Sequence, residues 1–136
     1  MLIVLAEDDR ELRSLVAAAL ELDGHRVIQA SAGASLVDEV RKIGEEGRPL
    51  DLLISDVGRP EDGLDTLRAI RRNEADLPVI FVTCFGDMWT RAEAARHGAL
   101  LLDKPVELGR LRAAVRDVDV ERARIDVDLH FLGEEP

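Results

Sequence analysis

The sequence predicts an α/β protein of the (βα)5 type, a three-layer sandwich with a parallel sheet at its centre. Five short apolar runs of about strand length alternate with longer amphipathic stretches at helical spacing. The runs are continuous rather than alternating, which is typical of parallel strands that are buried on both faces. Because parallel crossovers are right-handed, this order favours a doubly wound sandwich.

The predicted elements follow one another regularly along the chain. The predicted strands span residues 2–6, 26–30, 50–55, 78–83 and 99–102. The predicted helices are marked by apolar residues from Leu12 to Leu20, Leu36 to Ile43, Leu64 to Ile70, Ala92 to Ala95 and Leu108 to Val118. Glycines that can end a helix follow three of these patterns, at Gly24, Gly44 and Gly98.

Length and composition exclude several classes of protein. The chain has 136 residues and a net charge of −10, which argues against direct binding to nucleic acid or to a membrane, because both need basic patches. A single cysteine, Cys84, cannot form an intrachain disulfide and fits a reducing compartment. No apolar run approaches the roughly 18–20 residues of a membrane span, and no signal-peptide pattern is present. We therefore expect a cytoplasmic protein.

The end of the chain differs from the rest. We predict a main domain over residues 1–118 and a C-terminal tail or helix extension over residues 119–136. In the tail, apolar residues from Ile125 to Phe131 alternate with polar ones, and this period of two indicates a half-buried strand. A helix extension or a disordered acidic end fits equally well. As a strand, this segment could pair with the sheet edge of a partner.

Acidic residues follow or end three of the predicted strands. Glu7, Asp8 and Asp9 follow the first strand, Asp56 ends the third, and Asp103 follows the fifth. Because sites in open α/β sheets form at the carboxyl ends of the strands, we expect several of these acids to converge. Crowded carboxylates repel one another unless a cation neutralises them, and oxygen ligands are those that Mg²⁺ prefers. The pattern predicts a divalent-cation site.

Two more side chains at the same edge complete a set suited to phosphoryl transfer. Lys104 supplies a positive charge, and Thr83 supplies a hydroxyl that can hydrogen-bond an oxyanion. The metal and Lys104 would neutralise phosphoryl oxygens while the carboxylate of Asp56 attacks in line. Gly58 leaves room for its own backbone carbonyl to turn toward the metal.

Four blocks of this sequence resemble the receiver domain of bacterial two-component response regulators. The blocks are "LIVLAEDDRELR", "DLLISDVGRPEDGL", "LPVIFVTCFGD" and "HGALLLDKP", and the resemblance as a whole extends over roughly residues 1–118. The resemblance implies the flavodoxin-like receiver fold with strand order 2-1-3-4-5. It also implies a signalling domain and not an enzyme, apart from Mg²⁺-dependent self-phosphorylation and self-dephosphorylation.

The resemblance implies a phosphoacceptor and its metal ligands. Asp56 would take a phosphoryl group from a phosphohistidine on a sensor histidine kinase or a phosphotransfer protein. Glu7, Asp8, Asp56 itself and the backbone oxygen of Gly58 would hold Mg²⁺ or another divalent cation. The phosphorylated form would signal through contacts with a downstream protein that the sequence does not name, and the domain could form a homodimer.

The resemblance also implies the residues that sense the phosphoryl group. The hydroxyl of Thr83 and the ammonium of Lys104 would bind it, and Pro105 would follow Lys104 through an often cis peptide. Three features depart from the family. Leu101 replaces a common aromatic residue, Arg59 replaces a usual apolar residue, and the segments after Pro60 and Gly98 are each one residue short.

Two other functions remain open on this sequence. A receiver-like interaction module that does not use phosphorylation would fit Leu101 and the shortened segments. An enzyme or flavin carrier on the same fold fits less well, because Glu7, Asp8 and Asp9 would repel a flavin phosphate. Labelling by a small phosphodonor would separate the phosphoacceptor from the interaction module. A yellow purified protein would favour the flavin carrier.

Overall fold

The computed structural model describes residues 1–31, 34–58, 60–84 and 87–133. The strands are β1 (Leu2–Ala6), β2 (Arg26–Ala30), β3 (Leu52–Val57), β4 (Val79–Thr83) and β5 (Ala99–Asp103). The helices are α1 (Arg10–Leu22), α2 (Ala34–Glu45), α3 (Pro60–Arg71), α4 (Met88–Arg96) and α5 (Leu108–Gly133). Arg59, singled out above as a departure from the family, lies outside the described residues.

The five strands form one parallel sheet in the order β2-β1-β3-β4-β5. The prediction of a parallel α/β fold with this strand order is therefore confirmed. The short segment after Gly98 does not disturb the pairing of β5, since Ala99 lies opposite Val79 and Asp103 opposite Thr83 in continuous register. The carboxyl ends of β1, β3, β4 and β5 consequently point to one edge of the sheet.

A buried apolar cluster packs one side of the sheet within residues 1–106. The spacing of Leu36, Val40 and Ile43 places them on one face of α2, and all three are buried. The cluster joins residues of the sheet to residues of α2, α3 and α4, among them Val4, Leu53, Leu67, Phe81, Ala94 and Leu101. The members of the cluster are aliphatic or small, and few are aromatic. The amino-acid composition of the chain predicts such a core.

Aspartates fix the starts of α1 and α4. Asp9 is the N-cap of α1, and its Oδ1 accepts hydrogen bonds from the backbone N–H groups of Glu11 and Leu12 at 3.1 and 3.2 Å. Asp87 caps α4 through the N–H of Thr90 at 2.7 Å, and this bond lowers the pKa of its carboxyl. These caps begin both helices directly after β1 and shortly after β4.

Arg71 joins the end of α3 to the end of α4. Its Nε donates to the backbone oxygen of His97 at 2.7 Å, and its Nη1 donates to that of Glu74 at 2.8 Å. Burial lowers the pKa of this guanidinium. Since carbonyl groups at helix ends lack partners within the helix, Arg71 satisfies groups that would otherwise be unpaired.

The chain divides into two compact units, Met1–Val106 and Glu107–Pro136. The second unit contains α5, which has 26 residues. Because α5 continues through residues 125–131, the strand alternative for this stretch is wrong, and the structure shows a helix extension. A helix satisfies its backbone locally, whereas a strand needs a neighbouring strand. The division into a domain of residues 1–118 and a tail of residues 119–136 stays a prediction.

Among the described ranges, none of the helices combines the length and the apolarity that crossing a bilayer requires.

Candidate functional site

Three neighbouring strands bring the predicted site residues together. Asp56 is the penultimate residue of β3, and Thr83 is the last residue of β4, where it pairs with Val57. Lys104 directly follows β5, and its backbone N–H donates to the Thr83 carbonyl at 2.9 Å. Three residues that lie far apart in sequence thus occupy one edge of the sheet because parallel register aligns the strand ends.

Lys104 and Asp56 form an ion pair at this edge. The distance from Lys104 Nζ to Asp56 Oδ2 is 2.5 Å, and the two side chains are 31% and 14% exposed. Burial opposes the charge on Lys104, but the hydrogen bond and the charge of Asp56, together with the charge of Glu7, raise the pKa of the ammonium above its usual value. The ammonium of Lys104 therefore stays charged across the physiological range.

Glu7 is the second acid that meets Asp56. It follows β1 and is buried, and burial together with its hydrogen bond to Asp56 raises the pKa of Glu7 from 4.5 to about 7. The backbone N–H of Asp9 donates to Glu7 Oε1 at 3.0 Å and opposes this rise. Glu7 thus keeps its proton to a higher pH than an exposed glutamate does, as expected for a buried acid beside another carboxyl group.

Asp8 and Gly58 lie in the loops that flank this acid pair. Asp8 is exposed, and within residues 1–31, 34–58, 60–84 and 87–133 no three His, Cys, Asp or Glu side chains are grouped as a metal site. A Cβ at Gly58 would meet nothing within 4 Å, and its φ is not positive, so the backbone there does not require glycine. The predicted metal ligands Glu7, Asp8, Asp56 and Gly58 stay a prediction.

Thr83 lines a small cavity beside the acid pair. The cavity has a volume of about 10 Å³, room for about one water molecule, and its walls come from β3, β4, β5, α3 and α4. It is lined by Val57, Gly63, Leu64, Phe81, Thr83, Thr90, Ala94 and Leu101. Thr83 and Thr90 are only 1% and 4% exposed. The side chain at position 101 is therefore close to Thr83, although it is a leucine.

The comparison with known proteins decides the family. Residues 3–116 match the family described as the response regulator receiver domain. The chain belongs to this family. It is similar to the response regulator receiver protein CpdR of Brucella abortus, with 32% identity over 108 residues that cover 78% of this chain and 86% of CpdR.

A longer relative and a relative of known structure support the same family. The response regulator protein PilR of Pseudomonas aeruginosa is 32% identical over 139 residues, which cover 98% of this chain and 30% of PilR. The chain thus spans less than a third of the length of PilR. The solution structure of the beryllofluoride-activated NtrC4 receiver domain dimer is similar, with a TM-score of 0.74, 26% identity and coverage of 88% of this chain and 97% of that one.

Sequence reasoning missed three contacts of this receiver domain. Arg13 Nη1 donates to the Glu7 carbonyl at 2.7 Å and so fixes the loop after β1. Arg91 of α4 forms a short ion pair with Asp103, the residue before Lys104. Thr90 shares the cavity with Thr83. The sequence held no signal for the two arginine contacts, because each depends on how a helix packs beside a strand end.

The peptide between Lys104 and Pro105 is cis, as the resemblance implied. Trp89, the single tryptophan of the chain, is 59% exposed near the start of α4. Cys84 is exposed next to Thr83.

Proposed function

We propose that Asp56 of this receiver domain accepts a phosphoryl group from a phosphohistidine of a histidine kinase or a phosphotransfer protein. The observation that carries the proposal is the ion pair between Asp56 Oδ2 and Lys104 Nζ at 2.5 Å. A carboxylate paired with an ammonium group at a partly exposed edge of the sheet suits attack on a phosphoryl group. Family membership over residues 3–116 supports the same role.

The chemistry needs one bond to form and one to break. A carboxylate oxygen of Asp56 attacks the phosphorus in line, and a P–O bond forms while the P–N bond to the donor imidazole breaks. The electron pair of that bond stays on the imidazole nitrogen. As the carboxylate oxygen becomes part of an acyl phosphate, Lys104 transfers its contact to a phosphoryl oxygen, so its positive charge stays paired throughout.

The donor set fits Mg²⁺ or another divalent cation. Two neighbouring carboxyl groups, those of Glu7 and Asp56, supply the oxygen ligands that Mg²⁺ prefers. By family resemblance, Asp8 and the backbone oxygen of Gly58 complete the set. The bound cation would supply charge neutralisation of the phosphoryl oxygens. Arg13, through the Glu7 carbonyl, holds the loop that carries these acids.

Thr83 would report the phosphoryl group to the rest of the domain. Its hydroxyl binds a phosphoryl oxygen, and this contact shifts the end of β4. The shift also moves the side chains that line the cavity with Thr83, among them Thr90 and Leu101. Interiors are close-packed, so a shift of a lining residue requires its neighbours to repack. Phosphorylation thereby biases an equilibrium between two arrangements of the domain, and a downstream protein recognises one of them. Formation of a homodimer is another way in which the shift would act.

Chemical labelling tests the proposal. The chain is incubated with phosphoramidate and Mg²⁺, and the mass gain of one phosphoryl group is measured on the intact protein. The wild type should gain a hydroxylamine-labile group, and Asp56→Asn should not. Asp103→Asn is the matched control, because Asp103 is an acid at the neighbouring strand end, and it should be labelled like the wild type.

The outcomes separate the competing functions. Labelling of Asp56→Asn at the wild-type rate would assign the phosphoryl group to another residue. A folded wild type that gains no group with phosphoramidate, with Mg²⁺ present or replaced by Mn²⁺, would leave a phosphorylation-independent interaction module as the function. The domain would then have no self-phosphorylation or self-dephosphorylation, which are the only reactions proposed for it.

A further inference from the structure

Asp8 lies in the short loop between β1 and α1, and contacts fix the peptide group on each side of it. Before Asp8, the Glu7 carbonyl accepts a hydrogen bond from Arg13 Nη1 at 2.7 Å. After Asp8, the backbone N–H of Asp9 donates to Glu7 Oε1 at 3.0 Å. Because peptide groups are planar and rigid, two anchored peptides restrict the backbone of the residue between them. The side chain of Asp8 is exposed, but its backbone is held from both sides.

Glu7 is itself fixed at its other polar groups. Its backbone N–H donates to the Ala30 carbonyl of β2 at 3.0 Å, which continues the pairing of β1 with β2. Its carboxyl group is buried and hydrogen-bonded to Asp56. The Glu7 carbonyl, by contrast, is held by a side chain, that of Arg13. The orientation of the peptide that leads into Asp8 therefore depends on one arginine.

Arg13 reaches this loop from the first turn of α1. Its backbone N–H donates to the Asp9 carbonyl at 2.9 Å, as the start of the helix requires. Its Nε donates to Gln29 Oε1 of β2 at the longer distance of 3.4 Å. A guanidinium carries several donors in a fixed plane, so a single group can contact the loop and a neighbouring strand. The partly buried Arg13 thus ties the loop to both α1 and β2.

The positive charge of Arg13 does not account for its value to a cation site. Like charges repel, so the charge by itself opposes the binding of a divalent cation nearby. Arg10 carries the same charge at the start of α1, next to Asp9, and is exposed. The two arginines therefore share a charge and a helix, whereas Arg13 also donates to the Glu7 carbonyl. Comparing them separates the effect of charge from the effect of the contact.

We propose that Arg13 is a positioning residue for the divalent cation. By holding the Glu7 carbonyl, it keeps the backbone of Asp8 where the Asp8 carboxylate reaches a cation bound by Glu7 and Asp56. A ligand with an ordered backbone loses less conformational entropy when the cation binds, so affinity is higher. Contacts that orient metal ligands typically change affinity by about 10- to 100-fold. This inference rests on the proposed cation site and does not involve the phosphoryl step.

Titration with Mn²⁺ tests the proposal without any phosphoryl transfer. Free Mn²⁺ is quantified by its electron paramagnetic resonance signal as the full chain is added. Acidic surfaces also attract Mn²⁺, so the site is defined as the binding that Asp8→Asn removes. Arg13→Met keeps most of the side-chain length but has no donor, and it should weaken this binding about tenfold or more.

Two further variants separate contact from charge. Arg13→Lys keeps the charge and one donor group but cannot contact Glu7 and Gln29 together, so its affinity should lie between those of the wild type and Arg13→Met. Arg10→Met is the matched control, and it should bind Mn²⁺ at least as tightly as the wild type, because it removes a repelling charge. Circular dichroism at the titration temperature shows which variants are folded. If Arg13→Met is unfolded, the comparison of Arg13→Lys with the wild type decides.

Three results would overturn the proposal. The first is equal affinity of the wild type and the folded Arg13 variants, and the second is equal weakening by Arg10→Met. The third is a wild type without Mn²⁺ binding that depends on Asp8, which would remove the cation site as well. If Mn²⁺ binding depends on Arg13 but phosphoramidate does not label the wild type, phosphoryl acceptance fails while the role of Arg13 stands. The two failures are therefore distinguishable.

Discussion

The ammonium of Lys104 lies 2.5 Å from the carboxylate of Asp56, so the proposed acceptor is already neutralised before any phosphoryl group arrives. Glu7 follows β1 and meets the same carboxylate, and its burial there raises its pKa to about 7. The site thus holds two acids next to one cation, and Glu7 keeps its proton to a higher pH than usual. Each of the following predictions changes a residue of this site or a residue that stabilises the surrounding fold.

Replacing Lys104 should slow phosphoryl acceptance far more than it destabilises the fold. In Lys104→Met, the rate of Asp56 labelling by phosphoramidate should fall on the order of 10²-fold, as for loss of one preorganised electrostatic contact. The free energy of unfolding should change by only about 1 kcal/mol, because the pair is partly exposed. Lys42→Met, at an exposed position of α2, serves as the control and should label normally. Equal rates in both variants would contradict the role of Lys104.

The proton on Glu7 should make stability depend on pH. Because the pKa of Glu7 is raised from 4.5 to about 7 in the folded state, the folded state binds more protons than the unfolded state between these values. Protonation of Glu7 therefore contributes to the free energy of unfolding. The contribution is complete below pH 4.5 and is lost as the pH rises to about 7. Urea titrations in EDTA should therefore show Glu7→Gln gaining stability relative to the wild type across this window.

Glu11→Gln provides the control for that measurement. Glu11 lies in the first turn of α1, where its side chain is exposed. This variant should follow the wild-type pH dependence. If Glu7→Gln also keeps a constant difference from the wild type between pH 4.5 and 7, the proton does not reside on Glu7.

Two glycines near the site should differ in their response to alanine. A Cβ at Gly63 would lie 2.7 Å from Val57 Cγ1, and the stiff, buried valine cannot easily move away. Overpacking costs about 1–3 kcal/mol, and the better helix propensity of alanine offsets part of it, so Gly63→Ala should lower the free energy of unfolding by about 1 kcal/mol.

Gly58→Ala should leave stability nearly unchanged, because a Cβ there meets nothing within 4 Å. It also keeps the backbone carbonyl that the proposed metal site uses, so Mg²⁺-dependent labelling should survive. Thermal unfolding of the two variants side by side checks the pair of predictions. A larger loss in Gly58→Ala than in Gly63→Ala would contradict both.

Arg71 should contribute more than any other arginine to the stability of the connection between α3 and α4. Removing it in Arg71→Met leaves the carbonyls of His97 and Glu74 without their donor, which should cost about 2 kcal/mol of the free energy of unfolding. Arg72→Met changes the exposed neighbour and should stay within about 0.5 kcal/mol of the wild type. Chemical denaturation of both variants measures the difference, and similar losses would refute the assignment.

The sequence by itself determined the sheet and the edge where the site forms. Continuous apolar runs predict buried parallel strands, and Asp56, Thr83 and Lys104 stand at or next to strand ends. Parallel register then brings such residues together, because hydrogen bonding aligns all carboxyl ends at one edge. Local pattern is sufficient for these features, since each strand is defined by its own residues.

Only the tertiary structure decided how the site residues meet. Three features depend on burial and on distances between separate elements: the raised pKa of Glu7 beside Asp56, the ion pair of Asp103 with Arg91, and the cavity next to Leu101. The tail shows the same limit, since its sequence fitted a strand, a helix extension or a disordered end equally well, and the structure has a helix there. A periodic pattern identifies which residues share a face, whereas pKa values, contacts and the choice between strand and helix depend on the neighbours that the fold supplies.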